Sequence, residues 1–389
     1  MRWLALTLLA APLSAQRPQA AALPSAWPAA TAALDSFAAS QHLVGGGIAF
    51  VRDGKVVAEH YVGYGDQERG EKAESATIWH WGSITKTLTA IAVMQQIERQ
   101  RVRLDDPITR WIPELRKVHS TFGSMDQITI RMLMSHSSGL QNPTWPWTKG
   151  ESWEPFEPTE WSQLVAMMPY MQLVFAPGSR YGYSNPGFIY LARVVEQITG
   201  DPWQGYVTKN LFAPLGITTS YFGSTPYHLA RWRSNNYTVQ KDGTLKANGR
   251  DFNPGITIPN GGWNAPIGDI ATWAGFLMGT SAGERGRAAR YEGILPRASV
   301  EQMWVPVVQA GMEQMGLSFF VRQDGARRLI GHTGSQAGFR AFLYFDPERR
   351  TAIIGVVNTD SDMPGPAYQR AFDATLNAGL DVLRTAAPQ

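Results

Sequence analysis

Ser83-Ile84-Thr85-Lys86 sets a hydroxyl and an amine three residues apart. On a helix, positions i and i+3 share a face, so the two groups can meet. A serine hydroxyl is a poor nucleophile until a neighbour takes its proton, and a lysine can take it only as the neutral amine. Desolvation beside a buried helix lowers an amine's pKa in that direction. At the start of a helix, the free N–H groups and positive dipole end also favour the oxyanion formed on attack. The chemistry would be acyl transfer through Ser83, with Lys86 as proton acceptor. Alone, the pattern also occurs by chance on ordinary helices.

Two further clusters could complete a site. Tyr183-Ser184-Asn185 follows the turn Ala176-Pro177-Gly178 and precedes a helical run. A tyrosine hydroxyl near a lysine can relay protons to a leaving group. An asparagine amide can bind a substrate carbonyl and hold the lysine. His332-Thr333-Gly334 lies between two strand-like segments. Gly334 would let a substrate backbone approach a strand edge, and the N–H of Ser335 could donate to an oxyanion. His332 could be neutral or charged near physiological pH. The plainer readings are a loop tyrosine beside a helix cap and a histidine in a turn between strands.

Residues 45–63 read as a hairpin, with Gly47 to Val51 and Val56 to Val62 around Asp53-Gly54. Residues 83–101 read as a helix. Leu88 to Met94 is apolar apart from Thr89, so this helix should be buried on most sides. Between 102 and 315 the patterns are mainly helical, with helices expected at 128–135, 158–170, 187–199 and 202–212. Leu317 to Val321, Phe339 to Phe345 and Thr351 to Val357 then read as strands, and 366–384 as an amphipathic helix. Strands at both ends of the chain predict an α+β fold. It would be one antiparallel sheet built from both ends and flanked by helices, with an inserted, mainly helical lobe at about 102–315. Trp145, Trp147, Trp153, Phe156 and Trp161 crowd one proline-interleaved stretch. It could shape an apolar pocket over Ser83 or form core of the lobe.

Of the 389 residues, 44% are apolar and 17% charged, which suits a large packed core. The net charge is +3 without a dense Lys/Arg run, so a nucleic-acid partner is not expected. The absence of cysteine excludes thiol nucleophiles, disulfides and thiolate metal sites. The seven histidines (42, 60, 80, 119, 136, 228 and 332) show no close pairing, and no H-E-x-x-H, P-loop or EF-hand pattern occurs. Neither a metal nor a cofactor is expected. No G-x-S-x-G elbow is present, which argues against an ordinary α/β-hydrolase. Gly45-Gly46-Gly47 precedes a strand, the wrong order for a dinucleotide loop. His136 reads as structural, hydrogen-bonded near Ser137-Ser138-Gly139. Arg2, the apolar run Trp3 to Ala11 and Leu13-Ser14-Ala15 read as a signal peptide over 1–15. The mature domain would be 16–389, exported to the periplasm or secreted, with no lasting membrane anchor.

A serine-lysine helix, then Tyr-x-Asn, then His-Thr-Gly on a strand, in that order, resembles the serine β-lactamase and penicillin-binding protein superfamily. Tyr-x-Asn resembles its class C branch. Leu133-Met134-Ser135-His136-Ser137-Ser138-Gly139-Leu140 looks like that branch's "LLxHxSGL" segment. Leu104-Asp105-Asp106-Pro107, Pro214-Leu215-Gly216 and the stretch from Gly261-Gly262 to Asp269 are similar too. The resemblance covers about residues 35–380. It implies that Ser83 is acylated, that Lys86 and Tyr183 share the proton transfers, and that Asn185 binds substrate. It also implies an oxyanion hole of the Ser83 and Ser335 N–H groups. His332 stands where β-lactamases carry the lysine of Lys-Thr-Gly. A histidine offers at most a weaker, pH-dependent cation to a β-lactam carboxylate, so the resemblance shifts toward family VIII esterases and D-aminopeptidases.

The expected function is therefore hydrolysis of carboxylic esters through an acyl-enzyme on Ser83. Two alternatives stand beside it. One is a D-amino-acid peptidase, carboxypeptidase or weak β-lactamase. The other is a penicillin-binding sensor or scaffold that is acylated without turnover. The partner would be a small ester, amide or D-peptide.

Overall fold

The computed structural model describes residues 22–141, 158–281, 283–361 and 365–387. The leader expected at 1–15 and residues 142–157 of the tryptophan-rich stretch lie outside them. Helix α1 (Trp27–Ser40) comes first. It is not among the expected elements, although Trp27, Ala30, Leu34 and Phe37 recur at helical spacing and are its buried face. Strands β1 (Gly45–Arg52) and β2 (Lys55–Asp66) form the expected hairpin, followed by the short β3 (Glu71–Lys72). Helix α2 (Thr85–Glu98) is the expected buried helix. Helices α3 (Asn185–Thr199) and α4 (Ile267–Met278) follow in the middle of the chain. Six strands then run as β4 (Val308–Ala310), β5 (Glu313–Met315), β6 (Phe320–Asp324), β7 (Arg327–Gln336), β8 (Phe339–Asp346) and β9 (Thr351–Val357). Helix α5 (Pro366–Thr385) closes the described chain.

The main sheet among the described residues has nine strands in the order β3-β2-β1-β9-β8-β7-β6-β5-β4. Neighbours are antiparallel, and β1 pairs directly with β9, so strands from the early and late parts of the chain meet inside the sheet. Both faces are covered. Phe342 and Tyr344 of β8 pack with α1 and α5 through Phe37, Phe372 and Leu380. The alternate residues Ala341, Leu343 and Phe345 pack toward the helical side with Leu88 and Ile91 of α2. β9, buried along its whole length, reads as a continuous apolar run for this reason.

Three differences from expectation have local causes. β4 and β5 fall inside the span assigned to the helical lobe, yet they extend the main sheet. The strand expected at 317–321 starts at Phe320. Leu317 and Ser318 instead donate to the carbonyls of Met303 and Met134, and Ser318 takes φ +71°. His332-Thr333-Gly334 lies inside β7, not between strands.

Helix α2 is buried from Thr85 through Gln96. Its polar side chains are accommodated by defined partners. Thr85 donates to the Gly82 carbonyl and accepts from the Trp263 N–H. Thr87 accepts from the Trp273 indole, and Thr89 donates to the Pro259 carbonyl at 2.6 Å. Those bonds dock α2 against the short helix Ile258–Gly261 and against α4. No helix of the described residues is long and apolar enough to cross a membrane.

Candidate active site

Ser83 sits in a single 3-10 turn, Gly82–Ile84, that leads into α2. Lys86 follows one turn later and is wholly buried. Its Nζ lies 3.0 Å from Ser83 Oγ and donates to the Asn260 carbonyl at 2.8 Å. Burial pushes the amine's pKa well below the ordinary lysine range, because a charged ammonium there would lose its hydration. A neutral amine with one N–H anchored on Asn260 can direct its lone pair at the serine proton.

Tyr183 arrives from the loop before α3, and its hydroxyl hydrogen-bonds with the Ser83 side chain. Lys86 Nζ lies 5.0 Å from its ring centre. Burial raises the phenol's pKa, so Tyr183 keeps its proton at neutral pH. Asn185 opens α3, and its Oδ1 accepts from the Asn260 amide at 3.3 Å. His136 holds this loop in place. Its ring stacks on Tyr183 with centroids 4.2 Å apart, its Nδ1 accepts from the Ser184 N–H, and its carbonyl accepts from the Gly182 N–H. The expectation of a structural role near its own turn is thus refined: the ring bonds across to the Tyr183 loop.

The third cluster comes in on β7. The β6–β7 ladder ends at Phe320 opposite Gly331, so from His332 onward that edge of β7 has no strand partner among the described residues. The edge runs against the Ser83 turn so closely that side chains are excluded. A Cβ on Gly334 would stand 2.0 Å from the Trp81 carbonyl and 3.4 Å from Ser83 N, and one on Gly82 2.7 Å from Ser335 N. Gly82 also takes φ +51°, a region that favours glycine. The backbone N–H groups of Ser83 and Ser335 are thereby brought into one neighbourhood.

His332 is 1% exposed. Its Nδ1 contacts the Thr333 carbonyl, and its Nε2 is buried without a hydrogen-bond partner. Burial, with Lys86 nearby, pushes its pKa down to about 3. The sequence left its charge open; the structure makes it a neutral ring at physiological pH. The position that the resemblance associates with a permanent cation therefore carries none.

Ser83, Tyr183, Asn185, Phe320, His332 and Ser335 line one cleft of about 620 Å³. All seven residues named from the sequence are brought together. Asn260 was missed. It contributes a backbone carbonyl, which any residue type supplies, so the only local signal was its position before Gly261-Gly262. Trp161, the described member of the tryptophan-rich stretch, packs edge-on against Tyr190 and lines a separate hollow with Trp203 and Ile258. It does not line the Ser83 cleft. No group of three or more histidine or carboxylate side chains among the described residues is arranged to hold a metal.

Residues 30–378 match the family described as Beta-lactamase, and the chain belongs to that family. Protein flp of Staphylococcus aureus is 22% identical over 321 residues, 82% of this chain. The chain spans only 61% of the length of that relative. Esterase EstB of Burkholderia gladioli is 31% identical over 218 residues, 51% of this chain and 53% of EstB. The structure of the D-alanine carboxypeptidase AmpC from Burkholderia cenocepacia superposes with a TM-score of 0.72 at 19% identity, covering 93% of this chain and 99% of that one.

Proposed function

We propose that this protein hydrolyses carboxylic esters through an acyl-enzyme on Ser83. The observation that carries the reading is the buried Lys86 amine, 3.0 Å from Ser83 Oγ, with burial favouring its neutral form. In the reaction, Lys86 takes the Ser83 proton as Oγ attacks the ester carbonyl. The Ser83 and Ser335 N–H groups donate to the oxyanion. Tyr183, still protonated, gives its proton to the departing alkoxide and recovers one from Lys86. Water then attacks the acyl carbonyl, with Tyr183 and Lys86 passing its proton back to Ser83 Oγ. The products are one acid and one alcohol.

The neutral His332 favours uncharged esters over substrates bearing a carboxylate beside the scissile bond, as β-lactams do. The similarity to esterase EstB supports the same choice. The leader-like residues 1–15 extend the proposal to an exported enzyme, which N-terminal sequencing of the mature protein would test. The decisive assay offers purified protein a p-nitrophenyl ester, a D-alanyl peptide and a chromogenic cephalosporin. Rapid ester turnover with little release from the other two is expected. Preferential peptide cleavage, or a stable acyl adduct without turnover, would replace this reading with the peptidase or the sensor.

A further inference from the structure

We propose that His80 is a positioning residue that ties the backbone anchor of Lys86 to the oxyanion strand, so that proton acceptor and oxyanion donors hold one geometry. The inference rests on the acyl-enzyme reading above. His80 lies three residues before Ser83 in a two-residue strand, Trp79–His80, where it pairs with Asn264. It is 1% exposed and does not line the cleft.

The ring reaches three elements at once. Nδ1 lies 2.9 Å from Asn264 Oδ1, and Nε2 lies 3.3 Å from the Gln336 side-chain oxygen. The ring also lies against the backbone of Gly261. The Asn264 amide nitrogen donates to the carbonyls of Gly262 and Tyr221, which turns its oxygen toward the histidine and fixes the proton on Nδ1. Nε2 is then an acceptor, so the Gln336 amide pairs with it when turned end for end, with its nitrogen donating to the ring. Phe252 and Phe339 flank the ring at centroid distances of 4.7 and 5.8 Å and leave it little room to turn.

Two of these partners each adjoin a working group. Gly261 follows Asn260, whose carbonyl holds Lys86. Gln336 follows Ser335 on β7. The two also touch: a Cβ on Gly261 would stand 2.1 Å from the Gln336 side-chain oxygen. Without His80, the helix Ile258–Gly261 and the end of β7 would be linked near the site by packing alone. Burial and the adjacent Arg233 keep the ring neutral down to about pH 4, so it serves as a fixed polar bracket. An apolar residue of similar shape would fill the space but leave the Asn264 and Gln336 amides short of a partner.

Errors of about 1 Å in such geometry cost about 100-fold in rate. His80→Phe is therefore expected to lower kcat by about 10- to 100-fold, with KM changed by less than about threefold, because the ring touches no substrate. Gln336→Met should give a loss of the same kind, and the double variant should lose no more than the worse single one. Each variant is checked for folding by circular dichroism and thermal melting. If His80→Phe does not fold, the kcat and KM of Gln336→Met decide alone. Wild-type kcat in either folded variant, a loss confined to KM, or additive losses in the double variant would overturn the inference. Labelling of wild-type Ser83 by a fluorophosphonate probe keeps the two claims apart. If wild type is not labelled at Ser83, the acyl-enzyme reading itself fails. If it is labelled and the variants acylate at the same rate, only the bracket fails.

Discussion

The reactive pair is set by burial. Lys86 sits where a charge is costly, and the Asn260 carbonyl and Ser83 hydroxyl are its polar partners. Ser83→Ala should abolish turnover while the protein still melts as wild type does; retained activity would remove the nucleophile assignment. Lys86→Ala should lower the rate about as far, because nucleophile and base act as a unit. With the neutral amine as the proposed working form, kcat/KM should rise as pH increases through the depressed Lys86 pKa and fall below it. An activity that rose only through the ordinary lysine range would contradict this. The longer lysine side chain of His332→Lys can carry its ammonium past the buried ring position into the cleft, where it stays hydrated and charged. It should improve hydrolysis of carboxylate-bearing substrates relative to neutral esters, measured as the ratio of kcat/KM values. An unchanged ratio would mean that His332 does not govern substrate charge.

At the scale of elements, the site is the meeting of a helix start, a helix-entry loop and a strand edge. Each contact depends on small backbone details. The close approach of β7 to the Ser83 turn requires glycine at 82 and 334. Gly334→Ala would drive a methyl group into the Trp81 carbonyl, so the strand must retreat. The expected cost is about 1–3 kcal/mol of stability, together with loss of most activity as Ser335 N moves away from Ser83. Thermal melting and ester turnover on the same preparation would check it. A variant with native stability and full activity would show that β7 can give way without harm.

For the whole molecule, the buried histidines make stability dependent on acid. His80 is held down to about 4 and His332 to about 3, against an ordinary histidine value of 6.5. Between pH 6.5 and 4 the unfolded chain binds protons that the folded chain does not. The stability these rings contribute is therefore complete above about 6.5 and lost progressively as pH falls. For His80 alone the loss amounts to roughly 3 kcal/mol by pH 4. Calorimetric melting between pH 7.5 and 4.5 should show a falling Tm, and a flat profile would contradict neutral burial of these rings.

Much of this was legible in one dimension. The i, i+3 spacing of Ser83 and Lys86, the apolar run of α2, the fully buried strand β9 and the amphipathic α5 are local patterns, and local patterns follow from backbone periodicity. The order of the three clusters identified the family without any contact being known. Other features depended on the three-dimensional packing. The carbonyl of Asn260 carries no side-chain signature. β4 and β5 are too short to announce themselves and exist because β6 offers them an edge. The protonation of Lys86 and His332 depends on how much water the assembled fold excludes, and that depends on side chains far away in sequence. Residue types and spacing determined which chemistry the chain could attempt; burial and backbone approach across the sheet and the helical side decided in which charge state, and with which anchors, those residues meet.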